Sequence, residues 1–265
     1  MIVYDALLPH LPALLLVITR IGGLFLFTPI LSSPIIPRQV KALTLVMFAV
    51  AIYPTIPLHA NVPVDFDLMT LAPMLAGELL IGAVIGLAAF IPLASLQLGG
   101  LFMGQQMGLA IANVLNPAIE LEGNSIGQLL FYLGVAGYVA VGGLDMLFAA
   151  IVQTFAAVRL GDYGLTEAPL ELLVTLIASG FELAIRVSFP VVTIIFLESI
   201  AVGFIMKTVP ALNIMSFGFP LRIIVGIGLL TLSIVMIAEV IAGEMDFSMS
   251  LVQQWIDALA NRGGG

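Results

Sequence analysis

The sequence contains no cysteine among its 265 residues. Disulfides, thiolate metal sites and cysteine nucleophiles are therefore excluded. Histidine is almost absent as well, with only His10 and His59, so a cage of several histidines around a metal ion is not expected. The chain also has no nucleotide-binding loop, nucleophile elbow or metal-binding motif. We therefore expect no cofactor and no enzymatic activity.

Charged residues are scarce. They make up 9% of the chain, whereas a soluble domain carries about 25%. Hydrophobic residues make up 61%, and the mean hydropathy is +1.21. This composition is typical of a membrane protein, or of one that partner subunits bury on nearly all sides. The formal net charge of -8 argues against nucleic-acid binding.

The two ends of the chain carry little information about function. The first residues lack the basic region of a cleavable signal peptide and run directly into an apolar segment. The final glycines, Gly263 to Gly265, look like a remnant added at the terminus. We expect residues 1–262 to form a single domain.

Six apolar blocks follow one another along the chain, at residues 7–29, 42–56, 68–98, 129–158, 170–206 and 221–243. A helix that spans a bilayer needs about 20 apolar residues. The third, fourth and fifth blocks are longer than this and contain proline or paired glycines, so we expect bent helices or helical hairpins there. The predicted fold is all-α and of the membrane type. After the sixth block, a polar tail is expected to be amphipathic through Phe247, Leu251, Trp255 and Leu259.

A polar break, Gly99–Gln128, separates the third and fourth blocks. On a helix, Gly100, Gly104 and Gly108 would share one face, where another backbone could approach closely. Further along, the residue before Pro117 avoids the helical region, so the break is expected to bend there. Two interpretations remain open. The break is either a loop folded into a pore or a subunit contact, or a long solvent-exposed connection.

Several ionisable side chains lie inside the apolar blocks. Each costs at least roughly 2.5 kcal/mol at the centre of a bilayer, so each is a candidate functional residue. The candidate buried charges are Glu78, Arg186 and Glu198. Glu78 is either a proton or cation carrier or a structural carboxylate bonded to a neighbouring helix, and Gly82 and Gly86 follow it on a close-packing face. Arg186 is expected to pair with Glu182, which precedes it by four residues.

Methionines cluster near the two polar breaks of the chain, at Met103, Met107, Met206 and Met215. Flexible thioether side chains can adapt to varied partners and so could close around a passing polypeptide. The alternative is that these methionines fill gaps in an ordinary apolar core.

The most specific motif lies in residues 207–229, KTVPALNIMSFGFPLRIIVGIGL. It contains the sequence VPALNI, then GFPL, then Gly226. With this motif the chain resembles the FliR family of flagellar export-gate proteins and, more distantly, the injectisome proteins of the SpaR and YscT type. Other landmarks occur in the family's order: Arg20, Pro29-Ile30-Leu31, Pro37, Lys41, Gly82, Gly86, Gly104-Gln105-Gln106-Met107-Gly108 and Asn116-Pro117. Many relatives have Asp-Pro at the last position, so Asn116 departs slightly from the family pattern, which weakens any role for a negative charge there.

The resemblance implies a non-enzymatic subunit of a type III secretion gate in the bacterial inner membrane, within the flagellar basal body. One such chain would join FliP-like and FliQ-like gate subunits, with a FlhB-like protein at the closed entrance. Its fold would look like fused FliP-like and FliQ-like folds made of bent hairpins. The assembled cone would lie mostly above the bilayer plane, inside the basal-body ring. Unfolded flagellar export substrates would pass through it.

The resemblance also assigns a pore plug to residues 106–122. The plug residues are Gln106, Met107, Gly108, Asn113, Asn116, Pro117, Glu120 and Glu122. The helix-packing residues are Gly82, Gly86, Gly100 and Gly104. Two alternatives to the flagellar gate stay open, namely an injectisome gate subunit and a small ion-coupled transporter that uses Glu78, Arg186 and Glu198.

Overall fold

Each range of the chain that the structure describes contains at least one α-helix. The computed structural model describes residues 10–33, 36–56, 68–109, 124–163, 169–208 and 218–263. Seven α-helices lie in these ranges: α1 Leu11–Phe27, α2 Arg38–Ile52, α3 Leu68–Gln106, α4 Ser125–Ala140, α5 Gly143–Ala157, α6 Leu170–Thr208 and α7 Phe219–Gly263. One 3₁₀ turn, Tyr53–Thr55, follows α2. The all-α prediction is confirmed.

Three helices are long and apolar enough to cross a membrane, namely α3, α6 and α7. The pair α4 and α5 would make a fourth, if the two count as one broken span. The fourth apolar block, expected to be bent, is broken at its paired glycines, Gly142-Gly143. Of the two expectations for the third and fifth blocks, bent helices or helical hairpins, the hairpin is wrong, because each block forms a single helix of 39 residues. The fifth continues through Pro190.

Two compact units can be distinguished in the chain. The first combines residues 1–91, 142–176 and 245–265, and the second combines residues 92–141 and 177–244. Each unit has its own buried apolar residues. The single domain expected for residues 1–262 stays a prediction.

The break between α4 and α5 is a left-handed turn at Gly142. Its backbone has a φ of +78°. Its carbonyl oxygen accepts hydrogen bonds from the N–H groups of Asp145, at 3.0 Å, and Met146, at 3.2 Å, which starts α5. Residues with a Cβ rarely adopt this backbone conformation, so glycine is the residue that allows α4 to stop and α5 to begin within two residues.

The polar tail continues α7 to its end as an amphipathic helix. Its buried face is one residue out of phase with the expected one. Met245, Ser248, Val252, Ile256 and Leu259 are buried, whereas Phe247 is exposed. Leu259 belongs to both sets, and Trp255 makes an edge-to-face contact with Tyr163.

We predict that Gly142→Ala destabilises the protein by about 1–2 kcal/mol, because alanine at this φ meets its own carbonyl group. Thermal unfolding of the detergent-purified protein measures the effect. Gly137→Ala is the matched control, because Gly137 lies in α4 with open space around it. It is expected to leave the midpoint unchanged or raise it. Equal midpoints for the two variants would contradict the role of the left-handed turn.

Candidate functional site

A fully buried ion pair joins α1 to α3. Arg20 donates hydrogen bonds from Nε and Nη2 to the carboxylate of Glu78, and both side chains have no exposed surface. The backbone N–H of Gly161 donates a further hydrogen bond of 2.8 Å to Glu78 Oε1. Both oxygens of the carboxylate are therefore occupied. This arrangement matches the structural interpretation of Glu78, in which a neighbouring helix satisfies the carboxylate.

The rest of the Arg20 guanidinium contacts α5 and the residue that follows it. Nη1 donates to Thr154 Oγ1 at 3.2 Å, and Nη2 lies 3.4 Å from the carbonyl oxygen of Val158. The guanidinium carbon is 4.4 Å from the centroid of the Phe155 ring, which is a cation–π distance. One arginine thus connects three helices of the first unit. The charge of Arg20 is therefore buried within the protein, where it has polar partners, and is not exposed to lipid.

Glycines let α1 and α3 approach closely beside the ion pair. A Cβ at Gly82 would overlap the carbonyl oxygen of Arg20 and lie 2.8 Å from the backbone nitrogen of Leu24. A Cβ at Gly86 would lie 2.8 Å from the carbonyl oxygen of Leu24 and 3.1 Å from Cβ of Phe27. Gly82 and Gly86, two of the four predicted packing glycines, therefore lie where backbone meets backbone. This contact is the small-residue type found between membrane helices.

The C-terminal end of α3 is closed by a complete Schellman motif. The helix ends at Gln106, and Gly108 has a φ of +79°. The N–H of Leu109 donates to the carbonyl of Gly104 at 3.1 Å, and the N–H of Gly108 donates to the carbonyl of Gln105 at 3.0 Å. These two bonds are the pair that defines the motif. The chain therefore leaves α3 in a fixed direction at the start of the segment assigned to the plug.

Two methionines near this cap are fully buried, Met103 and Met107. A Cβ built on Gly226 of α7 would lie 2.6 Å from Cε, 2.8 Å from Sδ and 2.7 Å from Cγ of Met107. The side chain of Met107 therefore lies directly against the bare backbone of Gly226. The sequence left two interpretations of the methionines open. For Met103 and Met107, packing in an apolar core is the one that fits.

The next glycine contact holds α3 against the beginning of α4. A Cβ at Gly100 would lie 2.5 Å from Cα and 2.7 Å from the nitrogen of Gly127. Gly104 is different, because a Cβ there would meet only Leu109 Cδ1, at 4.0 Å. Gly100 therefore lies in a helix–helix contact, whereas Gly104 contributes its carbonyl to the cap.

A partly buried ion pair links α6 to α7 in the second unit. Arg222 Nε lies 3.4 Å from Glu198 Oε2, and Arg222 Nη2 donates to Ser199 Oγ at 2.8 Å. The Phe219 ring lies 5.8 Å from the same guanidinium. The sequence singled out Glu198 but not its partner.

Arg186 is a correction to the expected set of buried charges. It pairs with Glu182 at 2.6 Å, as the four-residue spacing predicts, but 55% of the arginine side chain and 69% of the glutamate side chain are exposed. The pair is exposed because it lies on an outward face of α6, where Phe181 and Ile185 are exposed too. It is not a buried charge within this chain.

Five residues assigned to the plug lie outside the described part of the chain: Asn113, Asn116, Pro117, Glu120 and Glu122. The other three, Gln106, Met107 and Gly108, form the end of α3 and its cap. The plug assignment therefore stays a prediction for most of its length.

Comparison with known proteins places the chain among bacterial secretion components. The family model described as "Bacterial export proteins, family 1" matches residues 11–248. The chain belongs to this family. The match begins with α1 and ends within α7, so it includes all three ion pairs and all the packing glycines described above.

Individual relatives include flagellar biosynthetic proteins and a Yop proteins translocation protein. The flagellar biosynthetic protein FliR of Bacillus subtilis is 29% identical over 75% of this chain and 77% of its own length. FliR of Escherichia coli is 28% identical over 69% of each. The Yop proteins translocation protein T of Yersinia pestis is 27% identical over 53% of each.

The sequence did not predict which residues pair with Glu78 and Glu198. Arg20 lies 58 residues before Glu78, and Arg222 lies 24 residues after Glu198. No helical spacing connects residues so far apart. One signal was available, since Arg20 and Glu78 are opposite charges inside separate apolar blocks, where each requires a counter-charge.

We predict that Arg20→Met or Glu78→Leu alone destabilises the protein by about 3–5 kcal/mol, because each leaves the other charge buried without its partner. The double variant should recover most of this loss. Thermal unfolding, or the amount of protein in membranes if a single variant does not accumulate, measures the cycle. The control is Arg186→Met, which disrupts an exposed pair with an expected effect of about 0–1 kcal/mol. Additive losses in the double variant would contradict direct pairing.

Proposed function

We propose that this chain is the FliR-type subunit of a bacterial flagellar type III export gate. The family match over residues 11–248 carries the proposal. In this function the chain helps to form the pore through which unfolded flagellar proteins leave the cytoplasm. It acts in the inner membrane, within the flagellar basal body, and it performs no catalysis.

The exposed apolar surface of the chain supports a role as one subunit among several. α6 and α7 are mostly exposed over their most apolar stretches. The large apolar side chains exposed there include Val174, Phe181, Phe189, Phe196, Phe204, Ile224, Leu232 and Val235. A surface of this kind is covered by lipid or by protein. We assign part of it to FliP-like and FliQ-like gate subunits, with a FlhB-like protein at the entrance.

The exposed Glu182–Arg186 pair favours protein over lipid at its position on α6. Two charges at membrane depth that face hydrocarbon carry a cost of at least roughly 2.5 kcal/mol each. A partner subunit beside the pair supplies polar groups and removes that cost. The pair therefore marks a face of α6 that we assign to a subunit interface.

The capped end of α3 supports a plug at residues 106–122. The Schellman motif directs the chain out of the helix, and two fully buried methionines lie just before it. A rigid anchor is what a plug requires, because a seal that must close repeatedly has to return to one position. Opening of the gate is then a displacement of this segment.

An ion-coupled transporter is disfavoured by the surroundings of Glu78. A carboxylate that carries protons or cations must exchange them with water or with a pathway. Both Glu78 oxygens already accept hydrogen bonds from Arg20 or Gly161, and the side chain is fully buried. An injectisome gate subunit is the second candidate, favoured by the match to the Yersinia protein over 53% of the chain.

We predict that native mass spectrometry of the chain, expressed with its neighbouring genes and extracted in mild detergent, shows a large hetero-oligomer with a single copy of this chain. The reason is that its exposed apolar faces need partner subunits. Expression of the chain alone is the control, and it should give no discrete assembly. A stable monomer or homodimer that ignores the co-expressed proteins would contradict the gate.

We also predict that replacing residues 110–122 with a glycine–serine linker of equal length makes the membrane leak ions. The replacement keeps the cap of α3 but removes the side chains that would seal the pore. Ion conductance of vesicles or of intact cells measures the leak. The control is a glycine–serine replacement of the five residues 164–168 in another connection, which should leave the membrane sealed. Normal sealing and normal export in the first variant would disprove the plug.

A further inference from the structure

A cavity of about 450 Å³ lies between the first turns of α6 and the last turns of α7. Proteins bind small molecules in cavities of this size. Its lining residues come from 169–175 and 251–259, and both stretches belong to the first unit. The family match ends at residue 248, so the export function proposed above does not account for the wall that α7 contributes.

The α7 wall of the cavity is held in place by two side-chain contacts. Trp255 packs edge to face against Tyr163, with 6.3 Å between the ring centroids. Gln253 donates from its side-chain amide to Gln153 Oε1 of α5 at 2.7 Å. Tyr163 is itself fixed, because its backbone carbonyl oxygen lies against the point where a Cβ of Gly77 would stand. The fold therefore forms the cavity before any ligand is present.

The polar lining of the cavity favours a ligand with a positive charge. Glu171 supplies a carboxylate, and none of the described residues in the lining is basic. Thr175 donates its hydroxyl to the carbonyl oxygen of Glu171 at 2.8 Å, so the hydroxyl oxygen can still accept a hydrogen bond from a ligand. The ring of Trp255 offers the aromatic face that binds ammonium groups best. These groups together suit a cation that donates several hydrogen bonds.

The same lining contains neutral donors, which suit a ligand that also carries a negative group. Gln254 has an amide NH₂ group, and Trp255 has an indole N–H. A ligand that carried a phosphate without a cation would be repelled by Glu171. A head group with both an ammonium and a phosphate therefore matches the lining better than either charge alone.

An apolar path leads away from the cavity along α6. Leu170, which lines the cavity, and Val174 are both exposed, and their spacing of four residues puts them on one face of the helix. Leu251 and Leu259 add apolar surface inside the cavity. Tryptophan, here Trp255, is enriched at the membrane surface, where an apolar region meets water. The cavity and its surroundings are therefore suited to an amphipathic ligand.

We propose that this cavity binds a phospholipid whose head group carries a primary ammonium, such as phosphatidylethanolamine. Glu171 and the ring of Trp255 bind the ammonium, and Gln254 donates to the phosphate. An acyl chain lies along Leu170 and Val174. A choline head group has no N–H to donate, and a glycerol head group has no cation to offset its phosphate. Lipid binding at this site is independent of the export function proposed above.

Fluorescence tests the site directly, because Trp255 is the only tryptophan of the chain. In the detergent-purified chain, short-chain phosphatidylethanolamine with brominated acyl chains is expected to quench this fluorescence, and the quenching should saturate. Phosphatidylglycerol and phosphatidylcholine with the same chains should need about tenfold more lipid for half of the effect. The reason is that a hydrogen bond to a charged group contributes about a factor of 10 or more to binding.

A matched pair of variants tests the role of the carboxylate. Glu171→Gln removes the negative charge and should weaken binding of the ethanolamine lipid about tenfold, so that the three lipids bind similarly. Asp257→Asn removes the same charge from an exposed position of α7 that is not among the lining residues, and it should behave as the wild type. Equal ethanolamine binding by the wild type and Glu171→Gln would overturn the site. Quenching that rises linearly and equally with all three lipids would also overturn it.

The assembled gate distinguishes a lipid from a protein occupant of the cavity. In native mass spectrometry of the chain co-expressed with its neighbouring genes, the wild-type assembly should retain one more ethanolamine lipid than the Glu171→Gln assembly. Equal numbers of retained lipids would mean that a partner subunit fills the cavity, which contradicts the proposal. If no hetero-oligomer forms at all, the proposed export function is wrong, whereas the fluorescence of the purified chain still decides the lipid site.

Discussion

The buried pair of Arg20 and Glu78 is the interaction on which the first unit depends. A single guanidinium contacts a carboxylate on α3, a hydroxyl and an aromatic ring on α5, and the carbonyl of Val158 just after it. Such a pair is costly to form, because both charges must leave water. Once formed, it is costly to break for the same reason. It therefore fixes which faces of these helices meet, in a surrounding of apolar side chains that offers little other selectivity.

Glycine has the complementary role, because it determines how closely the helices approach. Between membrane helices there is little hydrophobic driving force, so association relies on van der Waals packing and a few polar contacts. Gly82 and Gly86 provide the packing beside the ion pair. Gly100 provides it near the end of α3. The same device recurs at Gly226, where the backbone receives a methionine side chain and not another helix.

Much of the fold could be predicted from the sequence, because the signals are local. Apolar blocks give helices, paired glycines give the break at Gly142, and a four-residue spacing gives the Glu182–Arg186 pair. Other features are not local. Proline removes a backbone hydrogen bond and so favours a break at Pro190, but membrane-type helices tolerate proline, and α6 continues through it. The partners of Arg20 and Glu198 depend on which helices meet, which no spacing within one helix encodes.

The lengths of the helices have a consequence for where the chain lies in a membrane. At about 1.5 Å per residue, the 45 residues of α7 measure about 67 Å, and the 39 residues of α3 and α6 measure about 58 Å. The hydrocarbon layer is only about 30 Å thick. Each of these three helices must therefore tilt, bend or extend well beyond the hydrocarbon layer.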